Sequence, residues 1–279
     1  MTDVNVKPIK DIFKLEDIPD QGFECPKHGE YTGTVLKFLG IEMNPVCPEC
    51  QKIADEKLAV EKLEEEKRRE ENARELAVRE REQHYAELNI GKRFWEESFE
   101  TFDAYTPVLM QYLDKCIAFA NEPRGRMLLM LGKNGNGKNH LAASILKITS
   151  GCMYSVFEIE LLLKECYSGK EGESELYHRL CKTPMLIINE IGKHKVGEWE
   201  TNFMSYIINK RYENLMPTVL ITNAHLKENC PQKGCSVCFQ NLLGNDVLSR
   251  IVEDGEIMQF NEKDYRYIKR EKRGDNLCK

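Results

Sequence analysis

Residues 127–140, MLLMLGKNGNGKNH, decide how the rest of this chain is read. The apolar run Met127–Leu131 has the length and bulk of a buried strand, and the glycine-rich turn after it leads into a helical pattern. Gly132 and Gly137–Lys138 stand in the G-x-x-x-x-G-K spacing. Glycines at those places let the backbone turn its N–H groups onto a phosphate. Lys138 sets a cation beside the β and γ phosphates, and the helix starting there adds its positive end. Strand, loop and helix come in the order that the chemistry needs. Nucleotide contacts are therefore expected from Gly132, Asn134, Gly135, Asn136, Gly137, Lys138, Asn139 and His140. The position after the lysine is usually Ser or Thr, whose hydroxyl ligates Mg²⁺; here it is Asn139.

Two further strands bear on the same site. MLIINEIG, residues 185–192, ends in Asn189–Glu190, where P-loop ATPases place a metal-associated Asp followed by a catalytic Glu. Glu190 fits the base that orients an attacking water, and Asn189 puts a neutral amide in the acid's place. Both positions expected on the Mg²⁺ side are thus amides. TVLITN, residues 218–223, ends in Asn223, a polar side chain placed to touch the γ-phosphate or its water. With strands also expected at Met153–Phe157 and Glu256–Phe260, and helices at His140–Ile148, Glu158–Cys166 and Glu198–Asn214, strand and helix alternate over about 150 residues. That alternation predicts an α/β fold, a parallel sheet with helices on both faces.

Upstream the composition changes twice. Residues 1–50 are broken by Pro19, Gly22, Gly29, Gly33, Gly40, Pro45 and Pro48. Residues 51–88 hold no Pro or Gly, and Glu64/Arg68, Glu65/Arg69, Glu70/Arg74 and Glu75/Arg79 sit four apart with the acid first. They read as a solvated linker helix stiffened by ion pairs, with a coiled coil or partner-binding helix as the alternative. Residues 89–279 then form the ATPase domain, its core at about 105–270 with no substantial helical lid after the last strand.

The 279 residues carry 40 Lys and Arg against 46 Asp and Glu, a net charge of −6. A uniformly basic nucleic-acid coat is excluded, though a local basic groove is not. No apolar stretch approaches the roughly 20 residues of a membrane span, and residues 1–17 lack a signal-peptide core. Eleven cysteines without an export signal imply thiols or metal ligands in a cytoplasmic protein.

Cys25-Pro-Lys-His28 and Cys47-Pro-Glu-Cys50, separated by 18 residues, read as two ligand pairs of a closed structural Zn²⁺ site in a zinc-binding module at 1–50. A second group, Cys230, Cys235 and Cys238, lies in ENCPQKGCSVCFQ. His225 or Cys278 could complete it; a metal site and free or redox-labile thiols both remain open. Cys116, Cys152, Cys166 and Cys181 sit in or beside apolar segments and read as packing residues.

GKNGNGKNHLAA, LIINEIG, TNAH and LLGNDVLSRI, with the lead-in IGKRFWEESFETFDAY and its Phe94, Phe99, Phe102 and Tyr105, resemble the DnaC-type helicase loaders of the AAA+ ATPases. IstB-type transposition ATPases are similar too. The resemblance covers about residues 89–270, and GKNH is its most specific element, since Asn after the lysine is familiar in these loaders. Asn189 departs from their Asp, and the loop with Cys230 looks like an insertion. The resemblance implies an AAA+ switch that uses ATP and Mg²⁺, binds single-stranded DNA, self-associates and delivers a hexameric replicative helicase. It sets Arg250 where the family carries an arginine finger for the neighbouring subunit's nucleotide. Two other functions stay open: an IstB-like ATPase on duplex DNA, and a nucleotide-sensing adaptor with little hydrolysis, which Asn189 favours.

Overall fold

The computed structural model describes residues 16–38, 41–123, 125–167, 169, 172–193, 197–230, 232 and 235–273. They fall into two compact units divided between Val78 and Arg79.

In the first unit, β1 (Glu16–Cys25) and β2 (Gly29–Phe38) form an antiparallel hairpin, and β3 (Ile41–Met43) pairs with β2. The turn residues that break up this stretch of sequence are those that fold it back. Gly29 takes φ +81° where the chain reverses after Cys25, a conformation that costs Gly little. Among the described residues, the buried apolar ones of this unit are Cys25, Val35 and Cys47. One valine and two thiols do not make a core. Helix α1 (Pro48–Glu87) starts inside the second cysteine pair, with Pro48 in its first turn, and buries none of its side chains. Arg69 donates to Glu65 at 2.6 Å, one of the i,i+4 pairs expected along it.

The second unit is built on a five-stranded parallel sheet in the order β5-β6-β7-β4-β8. Its strands are β4 (Met127–Gly132), β5 (Cys152–Ser155), β6 (Leu186–Ile191), β7 (Thr218–Thr222) and β8 (Glu256–Phe260). Its helices are α2 (Pro107–Asn121), α3 (Lys138–Thr149), α4 (Val156–Tyr167), α5 (Glu173–Lys182), α6 (Glu198–Glu213), α7 (Phe239–Leu243), α8 (Asn245–Asp254) and α9 (Tyr265–Arg273). Strand side chains alternate between two cores. Leu128, Met130, Ile187, Val219 and Ile221 meet α2 and α3 on one face. Met127, Leu129, Leu131, Leu186, Ile188 and Leu220 meet α4, α5, α6 and α8 on the other. No helix of the described residues is long and apolar enough to cross a membrane.

The strand that begins at Cys152 is shorter than expected. The strand at 152 stops at Ser155, and Val156 and Phe157 belong to the helix. Ser155 Oγ accepts from Glu158 N at 3.2 Å while Ser155 N donates to the Glu158 carboxylate at 2.6 Å. This reciprocal cap starts the helix at once and overrides the strand preference of Val and Phe.

Arg211 on α6 is fully buried. Its guanidinium donates to Leu180 O (2.8 Å), Cys181 O (3.2 Å), Thr183 O (2.7 Å), Pro217 O (2.6 Å) and Thr218 Oγ1 (2.9 Å). It thus ties the end of α5 and the approach to β7 onto α6. Burial pulls its pKa down to about 10. Arg211→Ala should lower the stability of this unit by at least about 3 kcal/mol, because several buried carbonyls lose their donor together. Urea unfolding of the full chain reads the loss.

Candidate functional site

The C-terminal ends of β4, β6 and β7 open into one cleft of about 220 Å³. Asn134, Gly135, Gly137, Lys138, Asn139 and His140 line it from the P-loop and α3; Asn189, Glu190 and Asn223 line it from the neighbouring strand ends. Gly132 and Asn136 stand behind that wall. A Cβ on Gly132, at φ +133°, would lie 2.1 Å from Phe260 O, so the loop can leave β4 beside β8 only with glycine there. Asn136 is buried and donates to Phe260 O at 3.1 Å, which pins the loop to the same strand end.

Lys138 is 6% exposed. Its ammonium donates to Gly132 O (2.7 Å), Lys133 O (2.5 Å) and Asn136 Oδ1 (3.0 Å), all neutral acceptors. Burial pulls its pKa from 10.5 to about 8. A buried cation facing neutral oxygens at a helix N-terminus, in a glycine-lined cradle, fits an anionic phosphate chain.

The two carboxylates lining the cleft are already paired. Glu97 meets His140 Nδ1 at 2.5 Å, and Glu190 meets Lys193 Nζ at 2.6 Å. Glu190 also sits at φ +60°, a left-handed conformation that costs a non-glycine residue about 1–2 kcal/mol. The β6–β7 pairing slips between Ile188 and Ile191, which turns this residue out of the ladder. Asn189 Oδ1 accepts from Glu190 N at 2.7 Å, so one acceptor site of the amide is spent within its own strand. Asn223 Nδ2 donates to Asn134 Oδ1 at 2.9 Å, linking the β7 end to the P-loop.

His140 ties down the segment that leads into the fold. Its Nε2 lies 2.7 Å from Ser98 O, and Phe102 packs edge-on against the ring. Lys147, one helical face further along α3, donates to Phe94 O (2.6 Å) and Trp95 O (2.9 Å), and also to Glu97 O. Arg250 is held within its own chain, donating to Asn209 Oδ1 and to Asp246 at 3.3 Å, and stacking over Tyr212. It is not among the residues lining this cleft. Two cations that the sequence reading missed are. Arg93 comes from the lead-in and Arg266 from α9, both exposed and both facing the cleft. The run KRFW carried a weak signal for the first, and none marked the second.

Two groups of cysteine and histidine converge. Cys25, His28, Cys47 and Cys50 bring their ligand atoms within 4.8 Å of one another, with Nδ1 of His28 at 3.7, 3.6 and 3.3 Å from the three sulfurs in turn. The backbone N–H of Lys27, then that of His28 and the thiol of Cys50, pull the Cys25 thiol down to about 6, and its hydrogen bond with Cys25 pushes Cys50 up to about 11. Three thiols and an imidazole in this spacing suit Zn²⁺. His225, Cys230, Cys235 and Cys238 form the second group. His225 is thus the residue that joins the three cysteines; Cys278 lies outside the described residues. Cys116 and Cys181 are buried, and Cys152 and Cys166 half-buried.

A P-loop on β4, an interior strand of a five-stranded parallel sheet, with Asn189–Glu190 one strand beyond its neighbour β7, defines an ATP-binding fold of the AAA+ type. The chain belongs to the IstB-like ATP-binding protein family, whose profile matches residues 46–273. The replicative helicase loader DnaC of Escherichia coli K12 is 28% identical over 158 residues, 54% of this chain and 64% of the relative's length. The insertion sequence IS232 putative ATP-binding protein of Bacillus thuringiensis subsp. berliner is 27% identical over 198 residues, 68% of this chain and 76% of that protein. The crystal structure of the DnaC helicase loader superposes with a TM-score of 0.52 at 24% identity, over 61% of this chain and all of that one. A replication initiator DnaA structure with AMPPCP and single-stranded DNA gives 0.50 at 15% identity, over 66% and 57%. At these identities the two structures establish the fold alone.

Lys138→Ala should weaken ATP binding at least a hundredfold, read by fluorescent-nucleotide titration. The wild-type affinity should also fall as pH rises past 8, by roughly tenfold at pH 9, as the depressed lysine loses the proton that phosphate needs. Folding responds with the opposite sign: the penalty on the buried ammonium is full below about 8 and is relieved between there and 10.5. Calorimetry at pH 8 in two buffers of different ionisation enthalpy should show proton uptake on nucleotide binding.

Proposed function

We propose that this chain is a DnaC-type helicase loader: an ATP-bound AAA+ switch that self-associates, grips single-stranded DNA in the cytoplasm and docks a hexameric replicative helicase through its zinc-binding N-terminal module. The observation that carries this reading is the Cys₃His unit set in the same chain before the P-loop cleft. The proposed domains are the module at 1–50, the linker helix at 51–88 and the ATPase domain at 89–279.

Within the cleft, the amides of the loop from Gly135 to Asn139 and the ammonium of Lys138 hold the phosphates, with Arg93 and Arg266 at the rim. Asn223 reads the γ-phosphate through its link to Asn134, and Arg250 serves the neighbouring subunit's nucleotide. Glu190 orients the attacking water once its carboxylate leaves Lys193. Asn139 and Asn189 would hold Mg²⁺, which when bound would supply positive charge to the β- and γ-phosphates. With amides at both positions that charge is poorly anchored, and more so in the transition state than in the ground state. The chain therefore turns ATP over slowly and dwells in its ATP-bound form.

A second reading has its own support in the likeness to the IS232 protein, which aligns over more of this chain than DnaC does. Affinity capture separates them. The full chain with ATP should retain a replicative helicase, and Cys47→Ser/Cys50→Ser should lose the zinc of the N-terminal module together with the helicase while still binding nucleotide. Filaments on duplex DNA without helicase capture would favour the transposition reading; nucleotide binding with neither would favour the adaptor. Asn189→Asp should raise turnover at least about tenfold, roughly 1.4 kcal/mol of barrier, in a steady-state phosphate-release assay with DNA and helicase present.

A further inference from the structure

Between β7 and α7 the chain runs through a polar loop whose described residues, Leu226 apart, pack little against the core. From Leu226 to Val237 the described side chains are exposed or half-buried, and Cys238 at the loop's end is 1% exposed. Such a loop needs another source of order. Polar side chains supply part of it. Gln240 accepts from Lys227 N at 3.0 Å and donates to the Glu228 carboxylate at 3.2 Å, and Asn241 donates to Cys235 O at 2.5 Å. The remaining order is found at the cysteines.

His225 Nε2 stands 3.7 Å from Cys235 Sγ and 3.5 Å from Cys238 Sγ, and Cys230 Sγ lies within 4.8 Å of all three. With Zn–S of about 2.3 Å and Zn–N of about 2.0–2.1 Å, neighbouring ligand atoms of a zinc tetrahedron stand about 3.5–3.8 Å apart. A disulfide would draw two sulfurs to about 2.05 Å, and all three cysteines are free thiols.

We infer that His225, Cys230, Cys235 and Cys238 form a second zinc site, closed and structural, at the base of the β7–α7 loop. Four N and S donors without a carboxylate fill the tetrahedron and leave no open position for substrate. The site is bound into the sheet end. His225 bridges to Cys238 in the backbone, and Phe239 N donates to His225 O at 2.9 Å. His225 is two residues beyond Asn223, so the metal holds the strand end that contacts the P-loop. Zinc binding there is independent of which partner the chain loads or recruits.

The test is metal stoichiometry on the full chain, purified from zinc-supplemented medium and passed over a chelating resin. Plasma emission should find two zinc ions per chain in the wild type. It should find one in Cys47→Ser/Cys50→Ser and one in Cys235→Ser/Cys238→Ser. Cobalt loaded into Cys47→Ser/Cys50→Ser should give the intense sulfur-to-metal absorption of a three-thiolate tetrahedral site. One zinc or none in the wild type, or none in a Cys47→Ser/Cys50→Ser chain that still binds nucleotide, overturns the site. So does a disulfide among Cys230, Cys235 and Cys238 in the mass of the alkylated, unreduced protein. Should Cys235→Ser/Cys238→Ser fail to fold, the other two stoichiometries still decide.

Discussion

Everything at the nucleotide cleft follows from the close approach of two backbones, the turn at Gly132 and the carbonyl of Phe260. Because no side chain separates them, the loop leaves β4 tight against β8, and Asn136 can reach the same carbonyl from inside. With Asn136 fixed, its Oδ1 fixes Lys138, and the lysine is held in a buried position at the start of α3. A loop standing even one methyl group further out would lose the bond from Asn136 and expose the lysine to water. The depressed lysine pKa, the cleft and the reach of Asn223 to Asn134 all depend on that contact.

Outside the cleft the two units are stabilised by different means. The nucleotide-binding unit has two apolar cores, one on each face of a five-stranded sheet, and can bear a fully buried arginine on one of its helices. Among the described residues, the unit before it buries one valine and two thiols, so those residues draw little of their order from apolar burial. The same contrast recurs within the nucleotide-binding unit, where the β7–α7 loop is polar while the strand entering it is wholly buried.

How much of this is legible in the sequence depends on how local each signal is. The P-loop, the Asn189–Glu190 strand end and the paired CPKH and CPEC motifs are short spacings in which neighbours along the chain are neighbours in space, and they read directly. Ser155-x-x-Glu158 was equally local; the cap outweighs the β preference of Val156 and Phe157 that extended the expected strand. Arg211 could not be found this way, since a basic residue in a polar helix looks the same whether it meets water or five buried acceptors. Arg93 and Arg266 reach the cleft from segments separated from the P-loop by some 40 residues on one side and some 130 on the other, and no spacing records that. His225 lies close in sequence to Cys230, Cys235 and Cys238 and was legible as one of two residues able to join them, and the fold brings it to them.

The left-handed backbone at Glu190 sets the interests of fold and chemistry against each other. Glycine or asparagine would occupy φ +60° with less strain, so the sheet would be sturdier with either, by about 1 kcal/mol. The glutamate is thus a liability to the scaffold, tolerable because β6 is buried and paired on both sides and can absorb a local defect. Selection of this chain for thermal robustness alone would erode position 190 early. A hardened descendant from such a search would keep its sheet and its grip on phosphate and lose the one carboxylate among its three strand-end side chains at the cleft.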